Sequence, residues 1–226
     1  MSRFSFLQVW SLALVSILLC AAPTRAAVIL FDSREDFLAA ATSVTTIDFG
    51  NAILPGQFQF LPTPPGLTLA GVNFTIDHPT SNGNLFVLGQ GVYYSDVAVL
   101  SSQESTTGNN NLVITLPGGY TAVGTGFASF GPSTLTFTVS TGDTFTRQTL
   151  DFFRGFASFA GVVSSEPITS VRIDLQRNDD LINIGGFSFG QAAAVPEPSS
   201  LLLSQTGLLG ILAGASWRRR RKRLLG

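Results

Sequence analysis

The sequence predicts a mainly β protein: an antiparallel β-sandwich, jelly-roll-like, with one short N-terminal helix, flanked by a signal peptide and a C-terminal transmembrane helix. Three observations predict it. Short runs of alternating apolar and polar residues succeed one another through the middle of the chain, Gly, Pro, Asn and Ser break them at short intervals, and no helical period separates them. Alternation at period two buries one face of a strand and leaves the other in water. Strands without intervening helices argue against a parallel α/β sheet and for antiparallel packing.

The helix is expected near the start of the domain. Ser33 and Asp36 have the spacing of a capping box, and Phe37, Leu38, Ala39, Ala40 and Ala41 follow as helix formers. Phe37 and the Leu38/Ala41 face are expected to pack over an end of the sandwich. Strands are read at residues 44–49 (VTTIDF), 72–76 (VNFTI), 112–116 (LVITL), 135–139 (LTFTV) and 171–175 (VRIDL), all dominated by β-branched and aromatic residues. Gly-Phe-Ala-Ser-Phe occurs at residues 126–130 and again at 155–159, with a relative, Gly-Phe-Ser-Phe-Gly, at 186–190. The match is too short for a repeat architecture, and the three segments read as core strands of similar burial.

The two ends differ from the middle. Residues 1–26 carry Arg3, an apolar run over residues 7–22, and then Pro23, Thr24, Arg25 and Ala26, the layout of a secretory signal. Cleavage is expected after Ala26, because Pro23 disfavours a cut after Ala22. Export then removes Cys20, the single cysteine, leaving a chain that forms neither an internal disulfide nor a cysteine metal site. The exported domain is read as residues 27–191, and residues 192–226 as linker and tail. Between residues 27 and 194 there are five arginines, no lysine and thirteen acidic residues, a net charge of −8. Such a surface repels phosphates, which argues against a nucleic-acid partner.

The tail has three features in order. Val195, Pro196, Glu197 and Pro198 form a segment that the two prolines bias toward an extended backbone. Residues 199–217 are mostly apolar and at helical rise would span about 28 Å, close to the hydrocarbon core of a bilayer. Arg218, Arg219, Arg220, Arg221, Lys222 and Arg223 then give six consecutive basic residues, which resist translocation and set the topology with the domain outside. Together these features resemble the PEP-CTERM sorting tail. The resemblance implies recognition of Pro196, Glu197 and Pro198 by an exosortase, a membrane transpeptidase, with this chain as its substrate. The middle of the chain is similar to the β-rich regions that precede such tails, through residues 32–37, 71–74, 167–171 and 184–190. Where similar domains often carry Asp-Asn in the closing strand, this chain has Gly185-Gly186 and so lacks a carboxylate there.

Candidates for chemistry are few. His78 is the single histidine, it is followed by Pro79, and no Gly-x-Ser-x-Gly elbow supplies a nucleophile. One histidine without cysteine does not build a usual zinc site. Asp151, Glu166 and Asp174 are carboxylates from which a hydrolytic pair would be drawn, if the fold brought two of them together. Residues 177–180 (RNDD) and 109–111 (NNN) offer oxygen ligands of the kind calcium takes, without the register of a defined calcium loop. Tyr93, Tyr94 and Tyr120 are the amphipathic rings left for stacking on a sugar, since both tryptophans lie in the terminal segments. No catalytic residue, metal or cofactor is expected. The function expected is that of a non-enzymatic exported surface or extracellular-matrix protein, sorted by its tail. Its partners would be the exosortase, the secretion machinery and the membrane, first the inner membrane and then the cell surface or medium. The alternative is a polysaccharide- or calcium-binding sandwich module of a biofilm matrix.

Overall fold

Alternating runs of the kind seen in the sequence pair into twelve antiparallel strands in the computed structural model, which describes residues 27–77, 84–92, 97–103, 111–129, 131–149, 158–175 and 181–193. In chain order they are β1 (Val28–Phe31), helix α1 (Arg34–Ala40), β2 (Ala41–Ile47), β3 (Phe58–Leu61), β4 (Leu67–Leu69), β5 (Val72–Ile76), β6 (Asn84–Leu88), β7 (Val99–Gln103), β8 (Leu112–Ala128), β9 (Thr134–Val139), β10 (Thr144–Gln148), β11 (Ser158–Leu175) and β12 (Leu181–Ala192). The order across the sheet is β10-β9-β11-β8-β12-β7-β6-β3, with β1 on β11, β2 on β12, β5 on β8 and β4 on β5. The chain is mainly antiparallel β and sandwich-like.

The layers are joined by two long strands where separate short ones were expected. β8 has 17 residues and β11 has 18. Residues 112–115 of β8 pair with residues 170–173 of β11 and with β5, while residues 122–127 pair with the start of β11 and with β12. Between these stretches the register of β8 and β11 shifts twice, at Val163/Ile168 and Ile168/Ser170. Pro117, Gly118 and Gly119 lie opposite the shift, the two glycines at φ 98° and 79°. A left-handed pair of glycines reads in sequence as a turn, but here it forms an irregularity within one strand and bends the ladder. The two halves then face each other across rings: Phe74 meets Phe187 at 5.8 Å and Phe127 meets Phe137 at 5.3 Å between centroids.

Helix α1 forms as expected, with the Ser33 hydroxyl accepting from the Asp36 N–H at 3.4 Å. Its anchor is Phe37, fully buried against Phe159 at 5.6 Å and Phe31 at 6.2 Å. Leu38 corrects the expectation: it is 41 % exposed, because one residue turns a helix by about 100° and carries it off the buried stripe. Phe127, Phe187 and Phe189 of the recurring Gly-Phe segments enter the core between the layers, whereas Phe159 faces α1. Gly124 and Gly161 make room for that contact. A Cβ on Gly161 would stand 2.8 Å from ring atoms of both Phe37 and Phe159.

Among the described residues no helix is long and apolar enough to cross a membrane. The signal region with Ala26, the Val195–Pro198 motif, the apolar residues 199–217 and the basic run 218–223 all lie outside the described residues. For the domain itself, Gly161→Ala should lower stability by about 1–3 kcal/mol through overpacking beneath α1. Phe37→Ala should cost about 3–5 kcal/mol. Urea unfolding of residues 27–192 measures both, and an unchanged midpoint for Gly161→Ala would show that the helix does not sit on this glycine.

Candidate functional site

Three glycines create a hollow at the start of α1. On β12, Ile184 pairs with Phe127 and Gly186 with Gly126, which leaves Gly185 without a partner and marks a bulge. The Thr125 hydroxyl donates to the Gly186 carbonyl at 2.6 Å and holds the bulge in place. With no side chains on Gly126, Gly185 and Gly186, the floor is bare backbone. Asp32, Arg34 and Glu35 stand on the rim, Phe159 and Ser188 close the sides, and the open cleft has a volume of about 540 Å³. Ser188 is tied to Thr46 of β2 by a 2.9 Å hydrogen bond between their hydroxyls. Asp32 pairs with Arg147, whose guanidinium lies over the Phe145 ring at 5.2 Å.

A second depression, of about 370 Å³, adjoins the first at Val97 and is lined by Asp48, Asn51, Pro55 and Gln90. Asp48 caps the 3-10 turn Phe49–Asn51, its Oδ1 accepting from the Gly50 N–H at 2.8 Å. No local pattern in the sequence indicates that these stretches share a surface. The nearest signal was the double glycine inside the alternating run LINIGGFSFG, a pattern that marks a bulge or a close approach. Read by composition alone, Gly185-Gly186 signals only the lack of a carboxylate.

Among the described residues the other candidates do not gather at this cleft. Glu166 and Asp174 both lie on β11, eight residues apart, roughly 26 Å at extended rise, far beyond the reach of a hydrolytic carboxylate pair. His78, Asp151, Tyr93, Tyr94, Asp179 and Asp180 lie outside the described residues, as do Asn109 and Asn110. Tyr120 packs edge-on against Phe189 at 4.6 Å and is part of the core margin. Phe58 and Phe60 are 43 % and 57 % exposed on edge strand β3, but their rings meet edge to face at 81° and offer no flat platform. Among the described residues no three of His, Cys, Asp and Glu stand together as a metal site.

Asn111 belongs to a polar cluster where β5 and β11 end and β8 begins. Asp77 accepts from the Asn111 backbone N–H at 3.1 Å and its side-chain amide at 2.9 Å, and pairs with Arg172 at 2.9 Å. Asp174 lies nearby, and its carboxyl is raised above the usual range. Burial is the main cause; Arg172 opposes it and Asp77 adds to it. A carboxyl raised in the folded state is favourable when protonated, so its contribution is lost as pH rises through the folded value. Asp174→Asn should therefore raise the melting temperature at pH 7. The gain should shrink as pH falls toward about 3.8, the ordinary value, and vanish below it. Melting curves from pH 7 to pH 3 give the test, and a gain that persists at pH 3 would assign it to packing instead.

No family model matches the chain, and no curated protein matches it. Among solved structures it is similar to TmCBM61 in complex with β-1,4-galactotriose, at 12% identity over 58% of this chain and 99% of that one, with a TM-score of 0.36. It is similar also to CBM35 from Cellvibrio japonicus Abf62, at 12% identity over 67% of this chain and 95% of that one, with a TM-score of 0.29. A third likeness is to the family 11 carbohydrate-binding module of the cellulosomal cellulase Lic26A-Cel5E of Clostridium thermocellum, at 11% identity over 69% of this chain and 99% of that one, with a TM-score of 0.29.

Proposed function

We propose that the chain is a non-enzymatic exported protein of a bacterial surface or extracellular matrix, sorted through its tail by an exosortase, and that its sandwich holds a polysaccharide in the cleft beside α1. One observation carries the binding role: an open cleft of about 540 Å³ with a floor of bare backbone and a rim of carboxylates and guanidinium. A sugar ring is a flat body edged with hydroxyls. It needs close approach along one face and charged or polar partners around its edge. The glycine floor gives the approach, Asp32, Arg34 and Glu35 give the partners, and the Phe159 ring gives an apolar wall. The sorting role rests on the order of the Val195–Pro198 motif, the apolar segment and the basic run in the sequence.

Binding is tested by calorimetry of the full chain in detergent against a panel of purified oligosaccharides. Arg34→Ala with Glu35→Ala should weaken binding by roughly tenfold or more through lost charge-assisted hydrogen bonds. The melting temperature should stay nearly the same, since both side chains are exposed. Equal binding by the double variant would remove the cleft as the site. Sorting is tested separately. Changing Pro196, Glu197 and Pro198 together to alanine should leave membrane insertion intact, because neither the apolar segment nor the basic run is touched. The variant should accumulate at full length in the inner membrane of a host with an exosortase, while the native chain is shortened. Processing of both chains alike would reduce the motif to a linker.

A further inference from the structure

The two depressions form one groove, and its charge selects among polysaccharides. Val97 borders both, and the β2–β12 ladder joins their floors: Ile47 pairs with Phe187, which sets Asp48 of one depression beside Gly186 of the other. The volumes, about 540 and 370 Å³, are each in the range that takes a ligand of several rings. An extended polymer would therefore lie across Val97 and touch both halves. Carboxylates stand in each half, Asp32 and Glu35 in the first and Asp48 in the second, and among the described residues Arg34 is the single cation in the two linings. Asp32 is already offset by Arg147, which leaves Glu35 in the first depression and Asp48 in the second as the carboxylates that meet the polymer. The surrounding domain carries a net charge of −8 between residues 27 and 194 and no lysine. A polyuronate would bring a carboxylate on every sugar against this lining, whereas a polymer with amino groups repeats a positive charge along its length.

We infer that the groove takes a linear polysaccharide bearing free amino groups and turns away polyuronates. This rests on the polysaccharide reading of the cleft and names its substrate class. The polymer's ammonium groups meet Glu35 on one side of Val97 and Asp48 on the other, and its hydroxyls meet Asn51 and Gln90.

The experiment is calorimetry of the full chain in detergent with chitosan, cellulose and polygalacturonate oligosaccharides of equal length, at low and physiological salt. Chitosan oligosaccharides should bind tightest and lose affinity as salt rises, cellulose oligosaccharides should bind more weakly without salt dependence, and polygalacturonate should not bind. Glu35→Gln with Asp48→Asn should weaken chitosan binding by roughly tenfold, two exposed ion pairs' worth, and weaken cellulose binding by clearly less, so that the preference for chitosan is lost. Glu166→Gln, an exposed carboxylate on β11 outside both linings, should change nothing; an equal loss there would make the attraction a general effect of net charge and overturn the inference. Cellulose binding as tight as chitosan, insensitive to the double substitution, would overturn the charge selection while leaving the cleft as a sugar site. Failure of all three oligosaccharides to bind would overturn the cleft reading itself.

Discussion

The ladder between β8 and β11 is the constraint on which the other elements depend. Both strands serve both layers, so the bend at Pro117, Gly118 and Gly119 and the matching register shifts on β11 decide how the layers face one another. The rings that fill the space between, Phe74 on Phe187 and Phe127 on Phe137, meet only because the ladder turns there. No cysteine lies within the domain to cross-link the layers. Continuity of the backbone does that work, with Thr115 and Tyr120 paired to β11 on either side of the bend.

Two uses of glycine sit side by side on this frame. Gly124 and Gly161 are small so that the Phe37 and Phe159 rings can press against the sheet and pin α1. Gly126, two residues on along β8, and its neighbours Gly185 and Gly186 on β12 are small so that nothing fills the space in front of them. The first set holds the helix whose opening residues rim the hollow left by the second. Rim and floor are thus positioned by one packing contact, and the charge around the cleft inherits the rigidity of the core.

Strand character was legible in the sequence wherever alternation survived: residues 72–76 are β5 as read, and residues 135–139 fall within β9. The helix was legible from Ser33 and the residues after it. The fusion of short runs into β8 and β11 was not. Pro117-Gly118-Gly119 has the composition of a turn, and only pairing with the register-shifted part of β11 makes it part of a strand. Leu38 was misplaced because composition alone does not phase a helix of 7 residues. The cleft was illegible for a different reason. Asp32, Gly126 and Gly186 come together through the β8–β12 and β1–β11 ladders, and no local pattern announces a register between distant strands.

Those same ladders close the domain late in the order of the chain. β1 finds its partner at residues 161–164, and β2 finds its own at residues 187–192, so the first strands wait for the last. The two halves of the sheet, β8 with β11 and β7 with β6, are joined only when β12 is present, since β2, β7 and β8 all pair with it. Such long-range closure makes folding slow and leaves open strand edges in any shortened chain. The last strand ends at Ala192, so the domain can close only when almost all of its residues are present.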